Sequence, residues 1–345
     1  MNTKIRKYLL SLILFILAFV GLYLYAFQLQ IGSAVKSNWW AKSLLVYKEY
    51  YSSTIQEKKL ILSSGSNAMW GVNSQLLGEM TGYPTVNLGT HAELDIQFLY
   101  FQLQRHLKSG DIVVMPLEYW YYFDPINSLS EGFINDQLVW GKEYYLDNLS
   151  LKEYLLFIAK VPKSRVWEGL VELGAKSQLV DPKIVIEQTI AHAKKGNPKF
   201  DALTHLSLNQ YGDMRTNRWT TRMVLNYIRT GNDYGLVDED ISALFIENFK
   251  KIQELVAQKN AQLVLTWPVT IKNKLFDMEN SNHQDRVVRL IEKLKVHDID
   301  LQCDPRLFNM DVKYFYNTEY HLRAVGANIR TKHLGQCIND IINPE

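Results

Sequence analysis

From Tyr8 to Phe27 the chain reads YLLSLILFILAFVGLYLYAF, an uncharged run that is apolar on every face of a helix. At about 1.5 Å per residue such a helix reaches roughly 30 Å, the thickness of a hydrocarbon core, and satisfies its own backbone groups there. Lys4, Arg6 and Lys7 precede it. The positive-inside bias then sets residues 1–7 in the cytoplasm, 8–27 across a bacterial cytoplasmic membrane, and the remainder in the periplasm or outside the cell. The alternative is a cleaved signal peptide. Its apolar core is usually only about 7–15 residues long, and Gly32-Ser33-Ala34 is a distant cleavage site. An uncleaved anchor is the favoured reading. No later stretch approaches the roughly 18 apolar residues of a second span.

Beyond the anchor the pattern changes. Residues 28–58, with Trp39, Trp40 and a Tyr-Lys-Glu-Tyr-Tyr stretch, read as a helical connector. Lys59 to Ser63 is a short apolar run that predicts a buried strand ending in Ser64-Gly65-Ser66-Asn67. Val72 to Met80 has helical spacing, closed by Gly82-Tyr83-Pro84. Thr85 to Gly89 predicts a second strand and turn, Glu93 to Leu107 a helix, and Ile112 to Leu117 a third strand. Residues 124–237 break this alternation and read as a mostly helical insertion. It resumes with a helix over 240–258, a strand over 261–266, a helix over 282–297, a short strand at 299–302 and a final helix near 328–342. Strands alternating with helices imply a parallel sheet with crossover helices, and residues 59–345 are read as one such α/β domain. In such sheets sites gather in the loops beyond the carboxyl ends of the strands.

The 345 residues are 47% apolar and 21% charged, as in ordinary globular proteins, and the net charge of +2 gives no argument for nucleic acid. The 12% aromatic content, with 20 Tyr and 8 Trp, suits a packed core, and also a surface that meets sugars or a membrane interface. Cys303 and Cys337 are either a disulfide or two buried thiols. No phosphate loop, dinucleotide fingerprint or clustered metal ligands occur, so neither a cofactor nor a metal is expected.

Three loops hold candidate chemistry. Ser66 follows the first strand in a turn opened by Gly65, where a hydroxyl can stand exposed beside backbone N–H groups. Gly89 ends the second strand, where a glycine lets its N–H approach a substrate closely. His321 lies in a loop before the last helix and, in a parallel domain, can reach the first-strand serine as general base.

Gly65-Ser66-Asn67, Asn87-Leu88-Gly89 and the stretch Asn317 to Gly326 together resemble the SGNH, or GDSL-like, hydrolase family over about residues 60–120 and 240–342. The resemblance implies a three-layer, flavodoxin-like parallel sheet and acyl transfer. Ser66 would be the nucleophile and His321 the base, with Asn317 or Glu319 orienting the ring. The N–H groups of Ser66 and Gly89 would hold the oxyanion, with the Asn67 side chain as a further donor. Among such proteins the chain is most similar to membrane-anchored members that modify envelope polymers. The implied function is a serine acyltransferase or esterase acting on cell-envelope or exported polysaccharide, with the bilayer, an acyl donor and a polysaccharide acceptor as partners.

Two positions depart from the family pattern. Thr318, not aspartate, stands three residues before His321. The third strand leads to Pro116-Leu117-Glu118-Tyr119 rather than Gly-x-Asn-Asp, and an ionised Glu118 accepts hydrogen bonds but cannot donate them. Glu118 would then bind substrate, orient a neighbour or cap a turn. His91, two residues past Gly89, would touch substrate or simply open a helix. These departures motivate the alternative, a non-catalytic binding or scaffold component of an envelope polysaccharide machine.

Overall fold

The computed structural model describes residues 3–33, 35–91, 93–123, 129–174, 180–195, 203–236 and 240–343. Two compact units are present, Met1–Trp39 with Leu129–Leu179, and Trp40–Ser128 with Val180–Glu345. Of the expected insertion over 124–237, residues 129–179 fall in the first unit and residues 180–237 in the second.

In the first unit a 27-residue helix, Thr3–Leu29, encloses the predicted 8–27 run and is long and apolar enough to cross a membrane. At its end Phe27 meets the edge of Tyr154 at 6.3 Å, and Gln28 Nε2 donates to the Tyr154 hydroxyl. Tyr154 lies on the helix Leu151–Lys160, which starts with a capping box between Ser150 and Glu153. The next helix, Lys163–Val171, buries Arg165, which donates to Asn135 Oδ1 at 2.6 Å and to Gln30 Oε1 at 2.9 Å. Both are neutral amide oxygens, and Glu168 supplies a nearby negative charge.

The second unit is organised by a parallel sheet of strands β1 (Leu60–Leu62), β2 (Thr85–Asn87), β3 (Ile112–Pro116) and β4 (Gln262–Thr266), in the order β2-β1-β3-β4. Ile61 pairs in register with Val86 on one side and Val113 on the other. Every residue of β1, β2 and β3 is buried. Successive side chains point to opposite faces, so both faces of these strands are covered, which explains their unbroken apolar runs. The helix Ile96–His106 packs on Ala243–Gln258, and Ser74–Thr81 packs on Ala324–Ile342.

The four predicted strands at 59–63, 85–89, 112–117 and 261–266 are observed with shorter bounds. The one predicted over 299–302 is reduced to a single parallel bridge from Gln302 to Thr266. The predicted helix over 72–80 is observed as Ser74–Thr81, begun by Asn73 as N-cap with its side chain accepting from the Leu76 N–H, and a short helix Ser66–Gly71 that was not expected precedes it. A small parallel pair, β5 (Thr270–Ile271) with β6 (Asn309–Met310), was not foreseen. Two-residue strands carry no readable period.

At the amino ends of β1 and β3 the Lys59 ammonium and the Asp111 carboxylate meet at 2.8 Å with both side chains fully buried. Asp111 also accepts the backbone N–H groups of Lys59 and Lys108. The carboxylate thereby ties together the chain segments that enter the two central strands.

Cys303 and Cys337 form a disulfide with a Cα separation of 5.7 Å, resolving the two readings left open above. It joins the segment after the Gln302 bridge to the final helix across 34 positions of sequence. By loop-closure entropy its reduction is expected to cost about 3–4 kcal/mol. Thermal melts with and without reductant test this, and identical midpoints would count against it.

Candidate functional site

The sheet order places β2 and β3 on opposite sides of β1, which makes the carboxyl end of β1 a topological switch point. Ser66 stands there as the first residue of helix Ser66–Gly71 and is partly exposed. Among the described residues neither its hydroxyl nor its N–H takes a hydrogen-bond partner.

The rest of the turn is fully occupied. Glu118, buried just past β3, accepts from the Gly65 N–H at 3.3 Å, the Asn67 N–H at 3.0 Å and the Ser64 hydroxyl at 3.0 Å. Burial raises the pKa of Glu118, and the Asn67 and Ser64 hydrogen bonds oppose that rise. Asn67 uses both amide hydrogens, on Ser64 Oγ and on the Pro116 carbonyl. Its carbonyl groups receive Arg330, with 2.8 Å to the backbone oxygen and 2.7 Å to Oδ1. A carboxylate and a guanidinium thus grip the Ser66 turn through one asparagine, and each partly compensates the other's burial. Glu118 faces N–H and O–H donors, which is the arrangement of a turn anchor rather than of a cation ligand.

Gly65 makes this grip possible, since a Cβ there would lie 2.6 Å from Glu118 Oε1. Gly65→Ala is expected to lower stability by about 1–3 kcal/mol, the usual cost of overpacking. Chemical denaturation measures this, and an unchanged midpoint would contradict the tight approach.

His321 is held by its own loop. Phe315 and Leu322 bridge its ends, the Tyr316 N–H donates to the His321 carbonyl at 2.9 Å, and the His321 N–H donates to Thr318 Oγ1 at 3.1 Å. Thr318 therefore shapes the loop. The ring Nδ1 lies 2.8 Å from Asn317 Oδ1. An amide oxygen only accepts, so Nδ1 carries the hydrogen and Nε2 keeps its lone pair. Glu319 instead lies beside the Tyr227 hydroxyl. The imidazole stacks on Trp70 at 5.5 Å, and burial pulls its pKa below the ordinary value, to about 3. Trp70 is four residues past Ser66 on the same short helix, so the two share a face one turn apart.

Gly89 approaches the same turn, and a Cβ on it would be 2.8 Å from the Gly65 carbonyl. Its N–H donates to Asn87 Oδ1 at 3.0 Å. Asn87 in turn donates to the Ala68 carbonyl and to Asp213 Oδ1, both at 2.9 Å. Lys48, fully buried, donates to the carbonyls of Asn87 and Gly212, and burial pulls its pKa to about 7 against the pull of Asp213. His91 lies apart from this network. Its Nδ1 accepts the Glu93 N–H, its ring meets Trp40 at 4.9 Å, and burial lowers its pKa to about 4.

Ser66 and Asn67 thus meet Gly89 and Glu118 around one turn, while His321, bonded to Asn317 within its own loop, stacks on Trp70 of the helix that follows that turn. Arg330, Lys48 and Trp70 escaped the sequence reading. A signal existed for two of them. Arg330 falls in the stripe Ala327, Thr331, Leu334, Ile338, and Lys48 in the stripe Ala41, Leu44, Leu45, Ser52, all buried. A charge inside an apolar stripe marks a buried, partnered cation.

Together these features define a mostly helical α/β protein with a four-stranded parallel sheet and one N-terminal helix able to span a bilayer. No protein-family model and no curated protein matches the chain.

Proposed function

We propose that the chain is a membrane-anchored serine acyltransferase or esterase of SGNH type, acting outside the cytoplasm on a cell-envelope or exported polysaccharide. One observation carries this reading: an unpartnered Ser66 hydroxyl at the switch point, on the short helix whose Trp70 stacks on an imidazole with Nδ1 fixed by Asn317. His321 Nε2 takes the Ser66 proton as Oγ attacks an acyl carbonyl. It then returns the proton to the departing group, leaving an acyl-serine. A sugar hydroxyl or water, deprotonated by the same nitrogen, accepts the acyl group and frees Ser66. The Ser66 N–H is open to hold the oxyanion. The β2-β1-β3-β4 order and the covered faces of its central strands support the three-layer fold of that family.

The placement rests on Lys4, Arg6 and Lys7 before the apolar helix, which favour a cytoplasmic N-terminus. The Cys303–Cys337 disulfide is in keeping with an oxidising compartment.

A second reading, a non-catalytic member of an envelope polysaccharide machine, draws on the Gly89 N–H and the Asn67 amide being already engaged. Fluorophosphonate labelling separates the two. Catalysis predicts an adduct on Ser66 of the intact protein, absent in Ser66→Ala. No adduct on folded protein, with cellular function retained by Ser66→Ala, would rule catalysis out.

A further inference from the structure

The helices Leu151–Lys160 and Lys163–Val171 turn apolar side chains outward. On the first, Leu151, Leu155, Leu156 and Ala159 share an exposed face while Phe157 and Ile158 are buried beneath it. On the second, Trp167 and Val171 continue a stripe that begins at exposed Lys163, and Leu173 follows just past the helix. Leu151, Leu155, Leu156, Trp167, Val171 and Leu173 are between 46% and 76% exposed. A solvated helix normally turns such residues inward. Contiguous exposed apolar area of this kind marks an interaction surface.

The position of the pair narrows the occupant. Tyr154 packs on Phe27 and bonds to Gln28, and Arg165 bonds to Gln30 just past the helix end, so both helices are seated at the end of the apolar helix Thr3–Leu29. That turn is where a spanning helix leaves the hydrocarbon. The composition agrees. Tryptophan favours the interfacial zone, exposed Lys152 and Lys163 suit anionic headgroups, and leucines supply the buried apolar face. Glu168 and Glu172 fall about 100° or more round the helix from Trp167, off the stripe.

We propose that these two helices form a second, monotopic attachment, lying in the headgroup–acyl boundary beside the anchor. The occupant is the lipid bilayer. The inference rests on reading Thr3–Leu29 as membrane-spanning. It adds a function that a single helix cannot perform, since one span leaves the attached chain free to swing, whereas a second contact fixes its tilt and height.

The test uses the full chain in vesicles of zwitterionic and anionic phospholipid. Both native cysteines are bonded to each other, so a new thiol takes a polarity-sensitive fluorophore alone. Labels are placed singly at Leu155→Cys, Trp167→Cys, Leu14→Cys in the N-terminal helix and Val296→Cys, an exposed reference. Quenchers are spin-labelled lipid and aqueous iodide. At positions 155 and 167 the emission is expected to shift blue, to be lost to spin-labelled lipid and to resist iodide. The label at 296 is expected to behave in the opposite way. If 14 responds to lipid while 155 and 167 respond to iodide as 296 does, this inference falls and the anchor stands. If 14 also responds to iodide, both fall. Protection of 155 and 167 from both quenchers would mean a protein occupant and would overturn the lipid assignment.

Discussion

Replacing His321 by alanine is expected to slow turnover of an activated ester by about 10²–10⁴-fold, the usual contribution of a positioned general base. The loss should lie in kcat, because the imidazole moves a proton and does not hold the substrate. The pH profile tests the same group independently. Burial holds the folded His321 pKa at about 3, below the roughly 6.5 of a free imidazole, so the ring stays neutral and basic through mildly acidic conditions. The acidic limb of kcat/KM should therefore fall well below pH 6.5. Asn317→Asp would set a carboxylate against Nδ1, raise that pKa and move the limb to higher pH. The linked effect on stability has a definite sign. Between these values the unfolded chain binds the proton and the folded chain does not. The His321 contribution is complete above about pH 6.5 and is lost as the pH falls toward 3, a slope that His321→Gln should remove. An acidic limb that stays put in Asn317→Asp would mean that another group is the base.

Asp111→Ala is expected to cost about 3–5 kcal/mol, the penalty for leaving a buried charge without its partner. Lys59 is fully buried and donates both its ammonium and its backbone N–H to this carboxylate, and the Lys108 N–H donates to it as well. Both side chains are 0% exposed, so bulk water does not reach the pair in the folded parent. Thermal and urea melts of the detergent-solubilised chain measure the loss. The paired replacement Lys59→Met with Asp111→Leu should recover most of it, since a well-packed apolar pair often matches a buried ion pair. A single variant as stable as the parent would show that the pair carries no such charge.

Several parts of this architecture were legible before any coordinates. Short apolar runs marked the four strands of the larger sheet, since strands covered on both faces, as β1, β2 and β3 are, cannot alternate polar with apolar residues. Other parts were not. The helix expected over 72–80 begins only after Asn73, which caps it, and the short helix Ser66–Gly71 before it was missed, since a capping asparagine within a periodic stretch reads like any surface residue. The strand expected over 299–302 shrank to one bridge because pairing depends on the partner strand as much as on apolar character. At the site, the Asn317-to-His321 spacing of four was visible, but the preference for Asn317 over Glu319 came from how Thr318 and the Phe315–Leu322 bridge curl the loop.

Composition and spacing by themselves determined an apolar N-terminal helix of membrane length, an alternating α/β chain and a serine after its first strand, because hydrophobic period and local turn chemistry are properties of neighbouring residues. Only the tertiary structure decided that Cys303 meets Cys337, that Glu118 and Arg330 grip the serine turn together, and that His321 rests on Trp70. Those contacts join positions up to 263 residues apart. Their existence depends on how the sheet and its helices close over one another, which no local pattern encodes.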